Sequence, residues 1–74
     1  MKKELTNEEI DVILLLAEND MNVTKTARML FKSRTAMVWR LKVIKKKTSF
    51  DPMRFYGLAE LVKIAKERKL ENNG

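Results

Sequence analysis

Residues 22–51, NVTKTARMLFKSRTAMVWRLKVIKKKTSFD, decide the fold. Val23, Ala27 and Leu30 recur at helical spacing, and beyond Phe31-Lys32 the same spacing returns in Met37, Leu41 and Ile44. Asn22 precedes the first run and Ser33 the second, each with a side-chain oxygen suited to accept from an orphan N–H of a first helical turn. The stretch therefore predicts a short helix 2, a tight connection, and a helix 3 from Arg34 to about Lys47. That is a helix-turn-helix arrangement. Ala27 is small enough to sit where the two helices cross.

Outward from this unit, apolar residues keep a spacing of three and four, and no β-branched run of period two occurs, so the chain reads as all-α. Helix 1 begins after Thr6, which with Glu9 three residues on forms a capping box, while Glu8 and Asp11 suit the positive helix N-terminus. Ile10, Ile13, Leu14 and Ala17 make one stripe, and Val12, Leu15 and Leu16 cover much of the other side, so this helix must be covered on two sides. Asn19-Asp20-Met21-Asn22 ends it. Helix 4 is expected to start at Asp51-Pro52, a cap followed by proline at the first helical position. Phe55, Leu58, Ala59, Val62 and Ala65 form its stripe, with Leu61 beside it. Gly57 lies inside that helix at a cost of ~1 kcal/mol relative to alanine, which close packing of a neighbouring helix would explain. The expectation is one four-helix domain over residues 1–74, ordered from about residue 6 to residue 70, with residues 71–74 a flexible tail.

The composition narrows function by what it lacks. The 74 residues include no cysteine and no histidine, which removes disulfides, thiolate and imidazole metal ligands and the commonest general base. With no nucleophile–base pair, neither catalysis nor a metal or other cofactor is expected. The longest apolar run, Val12 to Ala17, is far short of the ~20 residues of a membrane span. No signal-peptide pattern opens the sequence, and a cytoplasmic protein is expected.

The net charge of +6 is unevenly placed. Residues 1–31 carry four bases and six acids, residues 32–47 seven bases and no acid, and residues 48–74 five bases and four acids. One sixteen-residue segment supplies the whole excess, which suits a solvated helix face, a nucleic acid, an acidic protein or an anionic membrane. At about 100° per residue, Met37, Leu41 and Ile44 face the core, so Thr35, Val38, Trp39, Lys42 and Lys46 face outward, with Ser33 and Arg34 at the N-terminal end. A recognition helix in the major groove presents such residues to base edges and phosphates. Arg34 and Lys42 can donate to guanine or phosphate, Thr35 can hydrogen-bond a base, and Val38 can touch a thymine methyl. Thr24, Lys25 and Arg28 point outward from helix 2, and with Lys32 they complete the candidate DNA surface. Trp39 either contacts the DNA backbone or covers helix 4 or a partner subunit. Lys45, Lys46 and Lys47 either meet phosphate or complement the helix C-terminal dipole. Arg40, between the faces, pairs with phosphate or with an acid of helix 1.

The same stretch resembles the C-terminal helix-turn-helix domain of purine-catabolism regulator (PucR-type) transcription factors and, more distantly, the factor for inversion stimulation. The resemblance rests on Asn22-Val23, Thr26-Ala27-Arg28, Leu30-Phe31, Arg34, Arg40-Leu41-Lys42, Ile44, Thr48 and Asp51-Pro52, and with helices 1 and 4 it covers about residues 8–68. It implies a regulator that binds double-stranded DNA. The sequence departs from that pattern at Lys32, where an aliphatic residue is usual, at Ala36, Val38 and Trp39, and at Lys45–Lys47. Ser49 stands where a glycine would end helix 3.

Two functions thus stand side by side: sequence-selective DNA binding as a transcriptional regulator or architectural factor, and an interaction module docking its basic helix 3 on an acidic protein. A membrane-surface helix is disfavoured, because the apolar face of helix 3 is committed to the core. The apolar surface of helices 1 and 4 exceeds what a small monomer covers, so a homodimer through these helices is expected, and a charge at Leu15 or Leu61 is expected to give monomers or misfolded material.

Overall fold

The computed structural model describes residues 4–73. They form four helices, α1 (Asn7–Glu18), α2 (Val23–Met29), α3 (Arg34–Thr48) and α4 (Phe55–Asn73), and no strand occurs among the described residues.

The helix starts follow from side-chain caps. Thr6 caps α1: the Glu9 N–H donates to Thr6 Oγ1 at 3.1 Å and the Thr6 N–H donates to Glu9 Oε1 at 2.9 Å, closing the capping box. Asn22 accepts from the Lys25 N–H at 2.9 Å and Ser33 from the Ala36 N–H at 3.1 Å, each satisfying an orphan donor. The helix ends use left-handed residues instead of glycine. Asp20 and Met21 (φ 55° and 68°) turn the chain after α1, Phe31 (φ 57°) after α2, and Ser49 (φ 69°) after α3. Ser49 does at the end of α3 what a glycine would do with less strain.

The chain buries α1 by itself. Val12, Ile13 and Leu16 lose all their exposure and Ile10 nearly all, packed with Val23 and Ala27 of α2, Met37, Leu41 and Ile44 of α3, and Leu58, Leu61 and Ala65 of α4. Ile10, Val12, Ile13 and Leu16 thus find their cover within the chain, whereas Leu14, Leu15 and Ala17 of the expected stripes stay half-buried. Leu61 is fully buried, so it belongs to the core and not to an interface between chains, and Leu15 is half-buried. Thr26, with no exposed surface, adds a polar tie: its hydroxyl donates to the Asn22 carbonyl at 2.8 Å and accepts from Asn19 Nδ2 at 3.1 Å, joining the end of α1 to α2.

Helix α4 differs from the sequence expectation in start and rotation. Asp51-Pro52 does not open it. Asp51 Oδ1 accepts from the Met53 N–H at 2.9 Å and its carbonyl from the Arg54 N–H at 3.1 Å, so residues 51–54 form a turn and the helix begins at Phe55. The core line is Leu58, Leu61 and Ala65, while Phe55 is 81% exposed and Ala59 and Val62 are only half-buried. Gly57 supplies the reason. A Cβ there would lie 2.7 Å from the Asp51 backbone nitrogen and closer still to the Asp51 carbonyl oxygen, so α4 seats its glycine on the α3–α4 connection, not on a neighbouring helix. That seat fixes which side of α4 meets α1. At the other end α4 runs on to Asn73, so Glu71–Asn73, expected as part of a flexible tail, are helical, and Gly74 lies outside the described residues.

Helix propensity alone favours Gly57→Ala by ~1 kcal/mol. The clash is with backbone, which has no rotamer to escape into, and overpacking costs about 1–3 kcal/mol. Gly57→Ala is therefore expected to destabilise the protein on balance, and a thermal melt equal to or above wild type would show that the seat is misread.

Candidate nucleic-acid interface

The segment from Asn22 to Phe50 contains nine bases and no acid, and tertiary structure sorts them into two groups. The first group is paired with acids of the N-terminal turns of α1 or of the α3–α4 connection, Lys45 while still largely exposed. Lys32 Nζ lies 2.8 Å from Glu8 and an Arg40 Nη 2.9 Å from the same carboxylate. Arg40 also reaches to 3.9 Å from Glu9, and Lys47 Nζ donates to Glu9 Oε1 at 2.8 Å. Lys45 stands 3.6 Å from Asp51.

Glu9 is the unusual member, with 1% of its surface exposed. A buried carboxylate is tolerated only when paired and hydrogen-bonded, and here the Thr6 N–H, Lys47 and Arg40 surround it. Lys47 also donates to the Glu4 carbonyl at 3.3 Å, and Arg68 of α4 donates to the Leu5 carbonyl at 3.3 Å, so the residues ahead of α1 are held to α3 and α4. Glu8 is more exposed. The hydrogen bond from Lys32 and the charges of Arg40 and Lys32 hold its carboxyl below the usual carboxylate range.

The second group is Lys25, Arg28, Arg34, Lys42 and Lys46, all exposed and, among the described residues, without a carboxylate within salt-bridge distance. On α3 the residues opposite Met37, Leu41 and Ile44 are Thr35, Trp39, Lys42 and Lys46, and all four are exposed. Trp39 is 61% exposed, so it does not lie buried beneath α4, and the Arg40 guanidinium sits 5.8 Å from its ring centroid. Arg34 lies at the start of the helix beside Ser33, whose hydroxyl is taken up by capping. Val38 is half-buried and lines a shallow recess with Leu41, Lys42, Lys45, Asp51 and Met53. Thr24, Lys25 and Arg28 are exposed on α2. Phe31, at the apex of the α2–α3 connection, is 97% exposed.

Of the residues named from sequence, Thr24, Lys25, Arg28, Arg34, Thr35, Trp39, Lys42 and Lys46 are thus solvent-facing and uncommitted, whereas Lys32, Ser33 and Val38 already have work within the fold. Arg40 takes the alternative of pairing with acids of α1. Lys47 does so too, through a carboxylate that periodicity marks only as a capping residue. Among the described residues no three metal-ligating side chains cluster, and no helix is long and apolar enough to cross a membrane. No family model matches the chain, nor does any curated protein or solved structure.

The sorting has a stability signature. Lys47→Met leaves Glu9 buried with one cation fewer, and because the Thr6 N–H and Arg40 remain, a loss of about 1–3 kcal/mol is expected. Lys46→Met removes an exposed charge and is expected to leave the melting temperature nearly unchanged. Equal melts for the two variants would contradict the sorting. Glu8 adds a pH dependence. Its folded pKa lies below its unfolded one, so its contribution is present above the ordinary carboxylate range and is lost as pH falls through the lowered value. The gap in melting temperature between wild type and Glu8→Gln should therefore be open at neutral pH and close in acid.

Proposed function

We propose that the chain binds double-stranded DNA with sequence selectivity, as a small transcriptional regulator or architectural factor, and that α2 and α3 act as a helix-turn-helix with α3 in the major groove. The observation that carries this reading is the one-signed outer surface of α2 and α3. The acids of α1 and Asp51 pair with Lys32, Arg40, Lys45 and Lys47, and the cations left unpaired among the described residues are Lys25, Arg28, Arg34, Lys42 and Lys46, with hydrogen-bonding Thr24 and Thr35 beside them.

A helix of 15 residues is about 22 Å long and of a width that the major groove admits. In this reading Arg34, Thr35 and Lys42 meet base edges, and Lys25, Arg28 and Lys46 meet phosphates. Trp39 lies between them, its ring against sugar or a thymine methyl. The resemblance to PucR-type domains points the same way, and a homodimer would present two such helices to a palindromic site with half-sites ~34 Å apart.

Exposed Trp39 and Phe31 beside free cations also suit a second reading, docking on an acidic protein surface. Duplex DNA separates the two. If DNA is the partner, log affinity falls linearly with log salt, with a slope near −0.9 per phosphate neutralised. Lys46→Ala is expected to weaken all duplexes alike and to make that slope shallower by about one unit. Thr35→Ala and Lys42→Ala are expected to change preference among sites selected from random duplexes, each lost base contact costing ~1–3 kcal/mol. Unchanged affinity after replacing Arg34, Lys42 and Lys46 together would sink the DNA reading and favour the acidic protein.

A further inference from the structure

The rotation of α4 leaves a feature that the DNA surface does not use. Between the end of α1 and the first half of α4 lies an apolar groove of ≈ 330 Å³, lined by Ala17, Met21, Phe55, Leu58, Ala59 and Val62, with Asp20 on its rim. Phe55 forms one wall yet is 81% exposed, and Tyr56 beside it is 72% exposed. An unfilled apolar hollow and a protruding aromatic side chain therefore stand next to each other on one face. No residue of this groove belongs to the proposed DNA surface.

We infer that the groove is a self-association site, filled by Phe55 of a second copy of this chain. The inference rests on the homodimer of the proposed function and gives it a location. Three observations single out a second copy as the occupant. A two-fold interface requires that one surface carry both knob and hole, which Phe55 and the groove provide. Ala59, small and half-buried, forms part of the groove floor, so two α4 helices can approach closely across it. Charge is complementary across the groove: exposed Asp20, in the turn after α1, stands at the Phe55 end, exposed Lys66 follows Phe55, Ala59 and Val62 along α4, and neither has an ion-pair partner among the described residues. In an antiparallel pairing of two copies, Asp20 of each faces the Lys66 end of the other.

Sedimentation equilibrium of the whole chain without DNA, from micromolar to near-millimolar concentration, tests this. Wild type is expected to dimerise, and Phe55→Ser to raise the dissociation constant at least about tenfold, as for a central aromatic anchor. The melt of the Phe55→Ser monomer should be retained, since the residue is exposed. Phe31→Ser, at a residue equally exposed but outside the groove, should dimerise like wild type. Ala59→Arg, which fills the groove from below, is a second route to the monomer should Phe55→Ser fold poorly. A wild type that stays monomeric throughout overturns the inference and leaves the groove to a different protein. Dimers of Phe55→Ser and Ala59→Arg as tight as wild type, or a Phe31→Ser chain as weakened as they are, overturn it too. Binding of Phe55→Ser to a single half-site duplex keeps the two proposals apart. Retained half-site affinity with loss of the dimer supports both. A chain that dimerises through Phe55 but binds no duplex removes the DNA reading alone.

Discussion

Glu9 is a carboxylate with almost no contact with water, and its ionic partners lie more than thirty residues away on α3. It closes the capping box of α1 with Thr6 and at the same time receives Lys47 and Arg40. Exposed ion pairs are worth ~0–1 kcal/mol, whereas separating a buried charge from its partner costs several times as much. The pairing therefore constrains how α3 lies across α1 far more than the surface pairs at Glu60–Lys63 or Asp51–Arg54 do. Once α3 is set in this way, Met37, Leu41 and Ile44 face the core, and Thr35, Trp39, Lys42 and Lys46 have nowhere to face but solvent.

The same constraint shapes the electrostatics. Of the seven bases in residues 32–47, Lys32, Arg40, Lys45 and Lys47 are engaged by acids elsewhere in the chain, and Arg34, Lys42 and Lys46 are left over. Net charge thus overstates the cationic surface while understating its purity. Fewer charges are free than the sequence count suggests, yet those that remain on α3 and α2 have no acid interspersed. A field of one sign over a convex helix is what a polyanion recognises at long range.

A second constraint governs the far side of the molecule. The seat of Gly57 against the Asp51 backbone delays the start of α4 and turns it so that Leu58, Leu61 and Ala65 enter the core. Phe55 is left outside, beside the hollow between α1 and α4. A position that reads as a weak spot in a helix is therefore where that helix is anchored. The exposed large apolar side chains fall into separate regions, Met29, Phe31 and Trp39 on α2, α3 and their connection, and Met53, Phe55 and Tyr56 at the start of α4, with Leu70 further along it.

Four helices, the caps at Thr6, Asn22 and Ser33, the core faces of α2 and α3 and the concentration of bases in one segment are legible in the sequence alone, whereas on α1 both apolar sides are expected to need cover and the core takes Ile10, Val12, Ile13 and Leu16. The legible features are local properties, set by periodicity and by side chains that bond backbone groups three residues away, so no knowledge of distant neighbours is needed to read them. Which bases are free depends on the packing of distant segments, because a lysine that answers a buried carboxylate and one that faces solvent have the same local sequence, as Lys47 and Lys46 show. Tertiary packing also sets the rotation of α4. The stripe of Phe55, Leu58, Ala59, Val62 and Ala65 and the observed line of Leu58, Leu61 and Ala65 are both helical patterns, and what separates them is a close approach between Gly57 and the backbone six residues earlier. Spacing records which residues share a face, but it holds no record of what that face will meet.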